Sequence, residues 1–375
     1  MEISYWEKSS FYAEKDIIIV GAGLQGLWSA YELKKQKPAL NILIVERGPV
    51  PHGASTRNAG FSCFGSPTEL LHNANLNGED RMLFGVENLF KGIQKIQRIF
   101  PASVIDYTPC GGYECLDNNL HDVANVYDQL AWLNKQTRSI TGTERTFIQA
   151  DHKLQQLGLQ NFDGLVENTL EGALHSGKLL QALTQLVQQM GVEILTGVEI
   201  VHVEPGATVE LHTARGITFK AGSVLFCINA FTGTFFPQLH IKPGRGQVLI
   251  SSPIKGLALN GTFHYDEGFY YFRNVGNRIL LGGARNKAFE EETVTTLTTS
   301  TTIQSALEAF LSKHFITPSP ITIEQRWSGI MGFTPNKLPV LEQVYDNVWS
   351  VVACNGMGVA LTPIMAEEVA GVMMA

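Results

Sequence analysis

The sequence is short of positive charge: 28 Lys and Arg face 35 Asp and Glu, a net charge of -7. No basic stripe is available to neutralise phosphates, so no nucleic-acid partner is expected. Nor does any apolar run approach the roughly 18 residues that a membrane helix requires. The opening residues, MEISYWEKSSFYAEKD, lack a basic stretch followed by an apolar one, so no secretion signal is expected and a cytoplasmic location follows. Cysteine is scarce and scattered: Cys63, Cys110, Cys115, Cys227 and Cys354. Cys110 and Cys115 lie closest, but no second pair or suitably spaced His completes a zinc site, so no metal is expected and the thiols read as reduced. Internal repeats, low-complexity tracts and linkers are also missing.

With 44% hydrophobic residues, the 375-residue chain can bury a core for two or three domains. The stretch DIIIVGAGLQGLWSAYELKK reads as a strand, a glycine turn and a helix. Ile17 to Val20 is a continuous apolar run, as in a strand covered on both faces of a parallel sheet. Leu24 to Lys35 has helical spacing, with Leu27, Ala30, Tyr31 and Leu33 on the buried side. NILIVERG is a second buried strand. Helices are expected over 81–100, 118–138 and 176–190, and a final one opening at Thr362-Pro363. From 245 to 283 apolar residues alternate, which implies an antiparallel sheet.

The spacing Gly21-Ala22-Gly23-Leu24-Gln25-Gly26 has a physical job after a strand. Gly21 permits a tight turn, Gly23 lets a pyrophosphate approach the backbone, and Gly26 lets the helix pack close to the strand. Glu46 follows Gly26 by 20 residues, at the end of the second strand. There its carboxylate can accept hydrogen bonds from both ribose hydroxyls, and it would repel the 2′-phosphate of NADP. The turn alone does not separate NAD from FAD. The small-residue loop GASTRNAGF, with backbone donors, two hydroxyls and Arg57, suits a chain lying flat against a flavin.

These stretches resemble the FAD-dependent D-amino-acid oxidase superfamily, in its glycine oxidase and sarcosine oxidase branch. The resemblance runs from about Asp16 onward and includes VERG, VLFCINAFTG, PGRGQVL, WSGIMGFTPNKLPV and NGMGVALTP. It implies an α/β fold, α+β overall: a Rossmann-like FAD-binding domain over 1–75, 173–235 and 334–375, and a substrate domain on a mostly antiparallel sheet over 76–172 and 236–333. FAD contacts are implied at the glycine turn, at Glu46 and Arg47, and along Ala54, Ser55, Thr56, Arg57, Asn58, Ala59, Gly60 and Phe61. Further contacts are implied at Ile200 beside the adenine, at Cys227, Asn229 and Ala230 beside the phosphates, and at Gly329. The closing loop would supply Gly356, Met357, Gly358, Val359, Ala360 and Thr362 beneath the flavin O2, where a helix N-terminus favours the anionic reduced form.

On the substrate side the resemblance points to His264, Phe269, Tyr271, Arg273 and Met331. Alternation places Phe269, Tyr271 and Arg273 on one face and Tyr270 and Phe272 on the other. Relatives carry an arginine that clamps the substrate carboxylate where this chain has Met331. Either Arg273, Arg245 or Arg326 replaces it, or the substrate is an amine without that carboxylate. No cysteine lies between Cys227 and Cys354, so FAD is expected to be non-covalent. The implied activity is oxidation of a small amine or amino acid at its C–N bond by hydride transfer to flavin N5, followed by imine hydrolysis. Dioxygen or another acceptor would reoxidise the flavin, and no catalytic side chain is assigned. The alternative is a flavoprotein without a small substrate, for electron transfer or structure, or a flavin domain modifying a nucleic-acid base.

Overall fold

The computed structural model describes residues 2–335, 338–352 and 355–375. The chain divides into two compact units, one of Met1–Thr56, Gly177–Gly244 and Met331–Ala375, the other of Arg57–Ser176 and Arg245–Ile330. The loop residues Arg57 to Phe61 therefore belong to the second unit, whereas the sequence reading set that boundary at 75/76.

In the first unit, Ile18, Ile19, Ile44 and Val45 are fully buried, the signature of central parallel strands. Lys15–Val20 pairs in parallel with Ile42–Glu46 on one side and Thr218–Phe226 on the other. Glu193–Thr196 and Val348–Val352 extend this parallel core. Val340–Tyr345 closes one edge antiparallel. A hairpin of Ile200–Glu204 and Val209–Thr213 also joins antiparallel, through Thr218–Phe226. The helix Leu24–Gln36 packs against the last helix, Gly358–Met374. Leu27, Trp28, Ala30 and Leu33 are fully buried, as are Ala366, Val369 and Ala370 of the last helix, while Tyr31 is only half-buried.

The last helix begins at Gly358, one turn before the expected Thr362-Pro363 start. Thr362 is not an N-cap: its Oγ1 donates to Gly358 O at 2.8 Å, inside the helix. Pro363 removes one donor of the second turn, a loss the segment tolerates so near its end. Leu361 N bonds Met357 O, so Gly358, Val359 and Ala360 supply the N–H groups of the helix's first turn, which have no intrahelical acceptor.

The second unit is built on an eight-stranded sheet, in order Ile323–Phe333, Lys242–Ser251, Arg278–Gly283, Tyr270–Val275, Thr262–Tyr265, Gly112–Leu116, Gly164–Asn168 and Phe147–Gln149. From Lys242–Ser251 onward the pairings are antiparallel except Thr262–Tyr265 with Gly112–Leu116. One face is apolar. Phe263, Phe272, Leu281 and Leu249 are fully buried there, under Leu307, Phe310 and Leu311 of the helix Thr301–His314. The Phe263 and Phe272 rings stack at 4.8 Å. Helices Glu79–Ile99 and Val123–Thr141 match the expected spans except at the second's start. There Asp122 accepts from Asn125 N and so sets the cap five residues late.

Candidate functional site

The glycine turn of the first unit has no room for side chains. A Cβ at Gly26 would stand 2.0 Å from Gly21 O, and Gly21 itself has φ +107. Glu46 Oε2 accepts from Ala22 N at 3.1 Å and Oε1 from Gly48 N at 3.0 Å. Each oxygen keeps a lone pair for a ribose hydroxyl. Ser55 Oγ accepts from Leu24 N at 3.0 Å, the position an anion takes at a helix N-terminus. Cys227 N donates to Val20 O, and Asn229, at φ +51, accepts from Gly332 N through Oδ1. Arg47 lies 4.0 Å over the Phe231 ring. Ile200 is buried in the unit's apolar cluster. These groups fit a dinucleotide: the turn, with the Leu24 helix, suits a diphosphate, and Glu46 suits the ribose. Asn355 and Gly356 form the turn before the last helix, and Met357 is that helix's N-cap.

In the second unit the loop Arg57 to Phe61 is held by backbone contacts. Arg57 Nη1 donates to Ser328 O, and Trp327 Nε1 donates to Arg57 O at 3.0 Å. A Cβ at Gly329 would meet Arg57 Cβ at 3.0 Å. Asn58 Oδ1 accepts from Gly60 N and from Ser176 Oγ. Gly60 has φ +72, and a Cβ there would lie 2.2 Å from Leu174 O. Trp327 and Ser176 were not among the expected residues. Trp327 stands in the quoted WSGIMGFTP motif, but Ser176 carries no signal beyond opening a helix.

Arg273 serves this loop too. Its Nη1 donates to Ala59 O, Gly60 O and Leu174 O at 2.8 to 3.1 Å, and Nε donates to Asn274 O. Its side chain is turned to the backbone. The other two candidate clamps are also engaged. Arg245 makes a two-point pair with Glu292, both bonds at 2.7 Å, and donates to Thr298. Arg326 donates to Gln304 and pairs with Glu308, both on the helix that covers the apolar face.

The sheet's other face is polar. His264 stands opposite Tyr271 on the neighbouring strand, and Phe61 meets both rings edge-on, at 5.2 and 6.1 Å. Phe269 is not with them. The turn Asp266-Glu267-Gly268, all at positive φ, breaks the alternation, and Phe269 packs toward the apolar core and Phe289. Met331 lies half-buried, two residues beyond Gly329 on its strand. His264 is 8% exposed, and its Nε2 has no hydrogen-bond partner. Burial pushes its imidazole down to about 4, so it is neutral at pH 7. Burial pushes the Tyr271 phenol up to about 12, so it stays protonated.

Behind His264 lies a cavity of about 10 Å³, room for roughly one water. It is lined by His264, Glu114, Glu171 and Asn168 among others. Glu114 accepts from the N–H and hydroxyl of Thr68, at the start of the helix Pro67–Asn77, and Glu171 accepts from Phe64 N. Burial raises the Glu114 carboxyl to about 7 and the Glu171 carboxyl to about 8. A carboxyl held this high binds its proton more firmly folded than unfolded. The stability these two carboxyls contribute is complete below the unfolded value, about 4.3, and is lost as pH rises toward 7 to 8. The melting temperature is expected to drop between pH 5 and 8, and Glu171→Gln is expected to flatten that drop. An identical pH slope in the variant would refute the assignment.

A model of the FAD dependent oxidoreductase family matches residues 16–372. Among solved structures, L-proline dehydrogenase from P. horikoshii is 16% identical with a TM-score of 0.74, covering 96% of this chain and 93% of that one. Glycine oxidase from Bacillus cereus is also 16% identical at 0.74, covering 96% and 95%. Both are likenesses of fold. The bifunctional protein ThiO/ThiG of Synechocystis sp. is 22% identical over 370 residues, 96% of this chain and 51% of that protein. The thiamine thiazole synthase of Yarrowia lipolytica is 49% identical over 51 residues, 14% of this chain and 16% of its own. The chain thus spans about half the length, or less, of these curated relatives. Among the described residues no helix is long and apolar enough to cross a membrane. The family match over nearly the whole chain, together with a parallel sheet, a glycine cradle and a tethered Glu46, makes the chain a member of the FAD dependent oxidoreductase family.

Proposed function

We propose that the protein oxidises the C–N bond of a small amine that brings no α-carboxylate to an arginine clamp. The observation that carries this reading is the fate of the three candidate arginines. Glu292, the Gln304–Glu308 helix and three loop carbonyls occupy Arg245, Arg326 and Arg273 respectively. A substrate carboxylate in a dry site without a cationic partner is costly, so the pocket selects against it. The polar face of the second unit receives the amine. Neutral His264, in its Nδ1–H tautomer, offers an acceptor at the unpartnered Nε2 and protonated Tyr271 offers a donor, a pair that suits an uncharged amine nitrogen. His264 does not hold a proton at neutral pH, so it orients the nitrogen and the ammonium proton leaves to solvent. Phe61 shields this face with its ring edge.

In the first unit, Glu46, the glycine turn and the N–H groups of Gly358 to Ala360 are the groups that would hold FAD, without a covalent link. FAD when bound supplies the two-electron acceptor for the C–N bond, and dioxygen or another carrier takes the electrons onward. The test is anaerobic flavin reduction by glycine, D-alanine, sarcosine and a carboxylate-free secondary amine. Faster bleaching by the carboxylate-free amine is expected. Rapid reduction by glycine or D-alanine would show that a carboxylate is accommodated and would overturn the reading.

A further inference from the structure

The hairpin that starts at Ile200 brings two histidines and two glutamates to one face. Ile200–Glu204 and Val209–Thr213 pair antiparallel, with His202 directly opposite His212 and Glu204 directly opposite Glu210. Residues two apart on a strand share a face, so all four side chains project on the same side. The rings of His202 and His212 stack at 5.7 Å. One ligand atom each from Glu204, Glu210 and His212 lies within 4.8 Å of the others. His202 Nε2 lies 3.9 Å from Glu204 Oε1.

The orientation of His212 carries the argument further. Thr218, its cross-strand neighbour on the third strand, holds Nδ1 at 3.1 Å through Oγ1. That contact fixes the ring and leaves Nε2 facing the glutamates. Nε2 is 3.0 Å from Glu204 Oε1, yet the two do not have the geometry of a hydrogen bond. With Nδ1 donating to Thr218 Oγ1, Nε2 carries a lone pair, and an imidazole nitrogen and a carboxylate oxygen this close without hydrogen-bond geometry are what a shared cation resolves. Zn–N and Zn–O bonds of about 2.0–2.2 Å in a tetrahedral shell put ligand atoms roughly 3.4 Å apart; the His212–Glu204 pair at 3.0 Å and the His202–Glu204 pair at 3.9 Å bracket that spacing, and the remaining ligand atoms, within 4.8 Å, close in by side-chain rotation. The outer group on His212 is the kind that orients metal-bound imidazoles.

We propose that His202, Glu204, Glu210 and His212 form a binding site for one divalent transition-metal ion of the zinc class. The site departs from the sequence expectation of no metal, which considered cysteine spacing and not a cross-strand His-Glu face. Imidazole with carboxylate selects zinc-class ions over magnesium or calcium. Lys220 Nζ, 2.5 Å from Glu210 Oε1, is the competing cation, so the ion takes Glu210 by displacing it or sharing the carboxylate. The alternative for the same residues is a charged edge that only keeps the hairpin from pairing with other chains. An ion here pins the two outer strands of the parallel sheet's antiparallel extension to each other.

The test uses the purified full chain, stripped with chelator and then freed of it, titrated with Zn2+ by equilibrium dialysis and followed by thermal melting. One Zn2+ per chain and a raised melting temperature are expected. His202→Ala, at an exposed position that should not disturb folding, and Glu204→Gln should each weaken binding about tenfold or more. Thr218→Val should weaken it by roughly tenfold, the effect of losing an outer-shell partner. His152→Ala, an exposed histidine of the second unit, is the control and should change nothing. Zinc uptake below one per chain, or uptake equal in wild type and in both ligand variants, would overturn the site and leave the charged edge.

Discussion

Arg273→Ala is expected to yield a protein that purifies with little or no flavin and melts well below the wild type. One guanidinium nitrogen reaches three carbonyls from two segments, Ala59 and Gly60 of the loop and Leu174 ahead of the helix Ser176–Gln189. Gly60 is held at φ +72 with its own carbonyl accepting from Leu174 N as well. Hydrogen bonds from a charged donor contribute about 1.5–3 kcal/mol, and each carbonyl left buried without one costs about 1–3 kcal/mol. Partial relaxation and water entry reduce the sum, so a loss of roughly 3–5 kcal/mol is expected. The loop residues implied in FAD binding then lose their shape, and affinity for the cofactor falls with it. Arg273→Lys should recover only part, because a single ammonium replaces a planar fork. The checks are the ratio of flavin to protein absorbance after purification and the melting temperature. A yellow Arg273→Ala protein with wild-type stability would show that the three bonds are dispensable, and would reopen for Arg273 the carboxylate-clamp role that the sequence offered as one of several alternatives.

The contacts of Arg273 show where a sequence is legible and where it is not. The parallel strands, the glycine turn and Glu46 were readable because each rests on a local pattern: a run of buried aliphatics, or residues spaced so that one turn brings them together. Glu46 meets Ala22 N across 24 residues, but the strand–turn–helix unit fixes that distance in advance. The partners of Arg273 lie 99, 213 and 214 residues away, and nothing local announces them. Alternation placed Tyr271 and Arg273 correctly away from Tyr270 and Phe272, because that pattern is intrinsic to a strand. It failed at Phe269, where three residues at positive φ turn the chain before the strand begins. It was a strong local rule, proline at a helix start, that misled at Thr362-Pro363: the preceding Gly-Val-Ala-Leu turn is itself helical and pulls the terminus forward. Glu114 and Glu171 gave no signal, since burial of a carboxyl is decided by what packs around it.

Glu292→Ala is expected to be among the most damaging single changes in the second unit. Arg245 and Glu292 are 6% and 0% exposed, and the carboxylate also accepts from Gln247 Nε2 and Ser300 Oγ. Removing it leaves a buried guanidinium without its partner, a loss of about 3–5 kcal/mol. The isolated charge is the main cause, so replacing both partners should restore most of the stability. Arg245→Met with Glu292→Leu keeps the volume and removes both charges, and such exchanges of buried pairs are often neutral or stabilising. Gln247 keeps a partner in that protein, because its Nε2 also donates to Ser300 Oγ and its Oε1 accepts from Ser300 N. Chemical denaturation of the three proteins measures the effect. The double variant also probes function. If Arg245 is a structural cation, the relative rates of flavin reduction by amino acids and by carboxylate-free amines stay as in the wild type. A selective loss of the amino-acid rate in a stable double variant would make Arg245 the carboxylate clamp, and the amine reading would fall.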